Sequence, residues 1–181
     1  MKNAFTISVL AVFLTAVSCK LVTENEGDTQ GIRGFKLAAN EVSGWTESSY
    51  FEFNTSNCFS DAGLNGGAKD FTDNGMIEGF RQKMVSSDYL ADIIITDFGS
   101  NSNSTKMFNF KSSTSDDGQK VGNYAETVAF MDENLSGVNA YAHFGKYYFI
   151  VQLSGYSIKA DARSTAASFL ELYENKTASN E

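Results

Sequence analysis

Carboxylates are the side chains here whose number and spacing come nearest to a catalytic set. Asp92, Asp97, Asp116, Asp117, Asp132 and Glu133 all fall in the second half of the chain. Two carboxyls facing one cleft can hydrolyse a glycosidic bond, one as acid and the other as base or nucleophile. Asp92 and Asp97 bracket an apolar run and would be such a pair for an extracellular polymer. The plainer reading of most of these acids is a turn, as in Asp116-Asp117-Gly118. Inventory excludes most other chemistries. One histidine, His143, and two cysteines, Cys19 and Cys58, leave too few ligands for a zinc centre and too few partners for most nucleophile–base triads.

Two motif matches fail on context. Asp97-Phe98-Gly99 spells the metal-binding tripeptide of protein kinases, but no glycine-rich loop or catalytic-loop motif accompanies it. Asp70, Asn74 and Gly75 sit at the first, fifth and sixth positions of a calcium loop. Arg81 then stands where the bidentate glutamate must be, so Asn74-Gly75 reads as a helix stop. His143 and Cys58 read as packing residues. No catalytic residue, metal ligand or cofactor is assigned, and the balance leans away from an enzyme.

Aromatic residues offer more, with 15 Phe, 8 Tyr and 1 Trp. Tyr147-Tyr148 and Tyr50-Phe51 place rings on both faces of their strands. Exposed rings would stack on sugars or line an apolar groove, whereas two covered faces would simply bury them. Asn65-Gly66-Gly67-Ala68 reads as a small-residue face packed on a sheet, or as bare backbone open to a ligand. Trp45, Asn65, Gly66, Gly67, Asp97, Tyr147 and Tyr148 are therefore the candidate ligand contacts.

The elements that must position these residues are hairpins and a few helices. Residues 76–85 and 89–97 alternate apolar and polar about a Ser86-Ser87-Asp88 turn, with Glu78 and Gln82 interrupting the first strand. Residues 138–144 and 147–156 flank Gly145-Lys146 as a second hairpin. Residues 120–131 read as one or two further strands. Helical spacing marks residues 161–175, with Ala162, Ala166, Phe169, Leu170 and Tyr173 on one face. Two more helices are expected, one over 101–110 and one capped at Ser60 or Asp61 that contains Leu64, Ala68 and Phe71. Hairpins with segregated helices imply an α+β class, an antiparallel sheet with about three helices packed on it, in a single domain.

An address precedes that domain. Lys2, then an apolar run over 4–16, then Ala16-Val17-Ser18 before Cys19 form a secretory leader too short to span a bilayer. Ala16-Val17-Ser18-Cys19 resembles a bacterial lipoprotein box, with Ala16 where leucine is commonest, and makes Cys19 the lipidation site. A lipidated Cys19 leaves Cys58 as a lone thiol; an unlipidated one leaves a Cys19–Cys58 bridge open. Lys20, in place of an aspartate after the cysteine, favours the outer membrane over the inner. The expected organisation is a signal peptide over 1–18, a flexible lipid-proximal tether over 19–31, one domain over 32–174 and a disordered tail over 175–181.

A net charge of −8 argues against nucleic acid and against attraction to anionic head groups, so membrane attachment would rest on the acyl chains. Val42-Ser43-Gly44-Trp45, Tyr50, Leu64-Asn65-Gly66-Gly67-Ala68, Gly75, Thr96-Asp97-Phe98-Gly99-Ser100 and Gly145-Lys146-Tyr147-Tyr148 resemble the motifs of an uncharacterised family of bacterial secreted and lipid-anchored domains. The resemblance implies an α+β fold and transfers no catalytic residues. Together these features point to a cell-envelope lipoprotein domain that binds a partner protein or glycan. A carboxylate hydrolase of an extracellular polymer and a carrier of an apolar ligand are the alternatives, and oligomeric state is not read from the sequence.

Overall fold

A computed structural model describes residues 31–60, 64, 67–114, 129–133 and 137–180. The leader, Cys19, most of the tether, Asn65, Gly66 and the Asp116-Asp117-Gly118 turn lie outside the described residues. A 3₁₀ turn (Gly31–Phe35) leads into β1 (Thr46–Asn54), α1 (Ala68–Asp73), β2 (Glu78–Ser86), β3 (Tyr89–Asp97) and α2 (Asn101–Thr114). Strands β4 (Ala129–Glu133), β5 (Val138–Phe144) and β6 (Tyr147–Ser154) then precede α3 (Lys159–Asn180). The six strands form one antiparallel sheet in the order β1-β2-β3-β6-β5-β4. It consists of two three-stranded meanders joined through the central β3–β6 pair. The α+β class expected from the hairpins and helices is the class observed.

Strand alternation assigns the two faces. Ile93 and Ile95 of β3, Ala140 and Ala142 of β5, and Phe149 and Val151 of β6 turn to one side, where α3, the 3₁₀ turn and Trp45 bury them. Alanines on β5 meet Ala162 and Ala166 on α3, so small residues on both surfaces let helix and sheet approach closely. Ile94, Tyr141, Tyr148 and Ile150 turn to the other side, against Phe71 of α1 and Met107 and Phe108 of α2. Both hairpins form where the alternation placed them, over Glu78–Ser86 with Tyr89–Asp97 and over Val138–Phe144 with Tyr147–Ser154.

Helix boundaries depart from expectation in three places. Among the described residues only Ala68–Asp73 is helical in α1, which begins after Gly67 with no side-chain cap, and residues 61–63, 65 and 66 of the expected helix lie outside the described residues. Glycine is a poor helix former, and Gly67 stands at the boundary instead of inside. The stop behaves as read: Gly75, at φ +90°, donates to Thr72 O, and Met76 N–H reaches back to Phe71 O. Helix α2 runs four residues beyond 110, to Thr114.

The disordered tail expected over 175–181 is corrected at its start, because α3 continues to Asn180. Lys176 Nζ pairs with Glu41 at 2.6 Å and reaches Gly34 O at 3.4 Å, while Thr177 is buried and bonds Tyr173 O. Glu41 and Gly34 lie more than 130 residues away in sequence, so local polarity could not reveal them.

Candidate functional site

Among the described residues, the candidate ligand contacts do not converge. Trp45 is buried, its ring edge-on to Phe169 at 5.3 Å. Tyr147 and Tyr148 do face opposite sides of β6, but both sides are covered: Tyr147 meets Phe35 at 4.6 Å and Tyr148 lies between Phe71 and Phe98 at 6.2 Å from each. Gly67 stands before α1 in open space among the described residues. Asp97 is buried at the end of β3, pairs with Lys146 at 3.0 Å and accepts the Gly99 N–H at 2.6 Å. Burial opposes the Lys146 charge, yet the hydrogen bond and attraction of Asp97 outweigh it and raise the ammonium's pKa above its ordinary value.

The Asp92/Asp97 pair is likewise not a catalytic dyad. An odd separation on one strand turns the two carboxylates to opposite sheet faces, and five residues of strand set them about 16 Å apart. Paired glycosidase carboxyls work within about 10 Å of each other. Asp92 is engaged by Arg81, through both carboxylate oxygens, and lies 3.9 Å from Lys83.

The concave, chemically loaded region lies elsewhere, where the 3₁₀ turn and the loop after it overhang the edge strand β1. Two clefts of about 440 and 700 Å³ adjoin there and share Arg33. Glu52, Asn54 and Glu78 line the smaller cleft; Lys36, Glu41, Glu47 and Lys176 line the larger. Three ion pairs bridge the region. Arg33 grips Glu52 through both carboxylate oxygens at 2.9 and 2.7 Å, Lys36 meets Glu47 at 3.3 Å, and Lys176 meets Glu41 at 2.6 Å. Tyr50 stands between the first two, donating its hydroxyl to Glu52 Oε1 at 2.9 Å while Lys36 Nζ sits 4.2 Å above its ring.

The electrostatics follow from those contacts. The Arg33 hydrogen bond lowers the Glu52 pKa against a smaller opposing effect of burial, and Glu52 in turn raises that of Arg33. Burial, then the bond to Glu52, pushes the Tyr50 hydroxyl up, so it stays protonated as a donor. The two more exposed pairs, Arg33–Glu52 and Lys36–Glu47, add little to stability, whereas Lys176–Glu41 is largely covered and ties the end of α3 to the loop.

Register explains why three β1 side chains share this face at uneven spacing. The β1–β2 pairing slips between Glu47 and Ser49, a bulge that leaves Ser48 extra, its hydroxyl directed to Lys83 O. Glu47, Tyr50 and Glu52 consequently oppose Met84, Gln82 and Phe80, all of which point to the α3 side.

Support comes from beneath. Gln82 is fully buried and grips the overhanging loop by both sides of its amide: Nε2 donates to Leu37 O at 2.9 Å and Oε1 accepts the Leu37 N–H at 3.0 Å. The same Nε2 donates to Glu47 Oε2 at 2.7 Å. One side chain thus ties loop, sheet and groove wall together. Arg33, Lys36, Glu47, Tyr50, Glu52 and Lys176 were not singled out as a site by sequence reasoning. The visible signal was Gln82, which with Glu78 interrupts the apolar parity of Met76, Phe80 and Met84.

These features define the class of domain: an open α+β sheet, its central strands covered on both faces, with a solvent-open groove of ordered charges along the exposed edge strand β1. No family model matches the chain, and no curated protein matches it. Among solved structures it is similar to the extracellular domain of PknH from Mycobacterium tuberculosis, with a TM-score of 0.55 and 10% identity over 82% of this chain and 96% of that one. That likeness is one of fold.

Proposed function

We propose that this chain is an exported, lipid-anchored domain of the bacterial cell envelope that binds a partner protein or glycan and performs no chemistry of its own. The observation that carries the reading is the groove over β1, whose charged groups are ordered by one another and held from below by the buried Gln82. Such preorganised donors and acceptors suit recognition of a polar partner. The separation of Asp92 from Asp97 argues against the dyad through which a hydrolase would act, and the charged lining of both clefts suits an apolar cargo poorly. Export is supported by the leader-like residues 1–18 and by a fold shared with a domain named as extracellular. Anchoring rests on the lipobox resemblance at Cys19, and the placement in the outer membrane on Lys20.

The test has two arms. Labelled palmitate should enter the wild-type protein and not Cys19→Ala. Immobilised full chain should retain an envelope protein or polysaccharide, and the charge reversals Arg33→Glu and Lys36→Glu together should abolish retention. Hydrolytic turnover of an envelope polymer by the purified chain, lost on a single carboxylate substitution, would replace binding with catalysis.

A further inference from the structure

Four Asn-x-Ser/Thr sequons occur in the chain, at Asn54, Asn103, Asn134 and Asn175. The sequon is the acceptor signal for N-linked glycosylation, which needs an exposed amide and an available hydroxyl two residues on. Asn103 is half-buried and spends its Nδ2 on Phe98 O at 3.2 Å, while the Thr105 hydroxyl donates to Asn101 O at 2.7 Å. Asn175 lies within α3, where Thr177 is buried and its hydroxyl donates to Tyr173 O at 2.9 Å. Asn134 lies outside the described residues. Among the described sequons, Asn54 alone has both parts in place. Asn54, Thr55 and Ser56 are all exposed where β1 gives way to a turn.

That turn presents the amide. Asn54 Oδ1 accepts the Ser56 N–H at 2.8 Å and the Ser56 hydroxyl at 2.6 Å, which leaves Nδ2 with no hydrogen bond among the described residues. Backbone groups fix the geometry: Asn54 O accepts from the N–H of Asn57 and of Cys58, and Asn57 Oδ1 accepts the Asn54 N–H at 2.8 Å. Donation by Ser56 polarises the amide carbonyl and makes the Nδ2 protons easier to remove. Resting on the export reading above, we propose that Asn54 is an N-glycosylation acceptor, taking an oligosaccharide from a polyprenyl-pyrophosphate donor through a transferase of the envelope. Nδ2 attacks the anomeric carbon of the sugar. A carbon–nitrogen bond forms there, and the bond from that carbon to the pyrophosphate oxygen breaks. One Nδ2 proton passes to a base of the transferase, and the polyprenyl pyrophosphate leaves. Asn54 also lines the smaller cleft, so the first sugar stands at the groove.

The full chain purified from its own cells provides the test, read by mass spectrometry of the tryptic peptide over 37–69, in which Asn54 heads the one sequon. The inference expects that peptide to carry sugar, located on Asn54 by electron-transfer fragmentation. Asn54→Gln and Ser56→Ala, made in the full chain in the same cells, should each remove it. Ser56→Thr should keep it, and Asn103→Gln should leave it unchanged. Circular dichroism checks the fold of each variant; if Asn54→Gln unfolds, the contrast between Ser56→Ala and Ser56→Thr decides, since both keep the acceptor amide. An unmodified peptide in the wild-type chain would overturn the inference. So would sugar that survives Ser56→Ala, or sugar found on a hydroxyl, on Asn103 or on Asn175 in place of Asn54. The N-terminus of the same protein separates this inference from the reading it rests on. A chain that has lost residues 1–18 and carries no sugar sinks glycosylation and leaves export standing, whereas a chain that still begins at Met1 with a bare peptide sinks both.

Discussion

Gln82→Leu is the perturbation that most sharply tests how the groove is held. Gln82 has no exposed surface and Leu37, its backbone partner, is 1% exposed. Leucine preserves the apolar bulk but can neither donate to Leu37 O nor accept from Leu37 N–H, so two buried backbone groups lose their partners. Each unsatisfied buried group costs about 1–3 kcal/mol, giving an expected loss of about 2–6 kcal/mol of folding stability. Urea denaturation followed by circular dichroism reads it as a lower midpoint. Gln82→Glu separates the parts: it keeps the acceptor for Leu37 N–H but loses both donor contacts and places a second carboxylate beside Glu47. It should be destabilised more at pH 7 than at pH 4, where protonation relieves the repulsion. A leucine variant within about 0.5 kcal/mol of wild type, the ordinary range of a surface substitution, would refute the reasoning that this amide pins the loop.

Three further substitutions have expected outcomes. Burial lowers the pKa of His143, which packs against Phe108 at 4.9 Å, so the unfolded chain binds a proton that the folded chain resists. Its contribution is intact above about pH 6.5 and is lost as pH falls from there toward the depressed folded value; unfolding free energies measured between pH 8 and 5 should fall less in His143→Leu than in wild type, and parallel curves would contradict this. The Tyr173 hydroxyl is buried with no partner among the described residues, so Tyr173→Phe should raise stability by about 1 kcal/mol, whereas a comparable loss would reveal a hidden hydrogen bond. Gly155 has φ +92°, and an added Cβ would stand 2.3 Å from Asp88 O; Gly155→Ala should cost about 2–4 kcal/mol in the same denaturation assay, and a melting temperature like that of wild type would argue against the β3–β6 end as drawn.

What sequence could reveal divided along the range of the interactions. Alternation and short turns carry their own evidence, so both hairpins and the α+β class were legible. Helix α3 was legible where its apolar stripe runs, but its last turn is held by Glu41 and Gly34 across the molecule, which no local pattern encodes. Aromatic type misled at Trp45 and Tyr147, because a ring on a strand looks the same whether solvent or a helix covers it. The groove was hidden for a related reason. Glu47, Tyr50 and Glu52 share a face only because Ser48 is bulged out, and Gln82 acquires meaning only when Leu37, 45 residues earlier, folds over it.

Position-specific photocrosslinking in living cells tests the central claim most directly. A benzophenone amino acid would replace Phe51 or Glu52 at the groove and edge, and Ser164 on the exposed flank of α3 as the control. The account predicts a mass-shifted envelope adduct from Phe51 and Glu52 and none from Ser164. Adducts of equal yield from all three positions, or from Ser164 alone, would contradict a binding surface at β1.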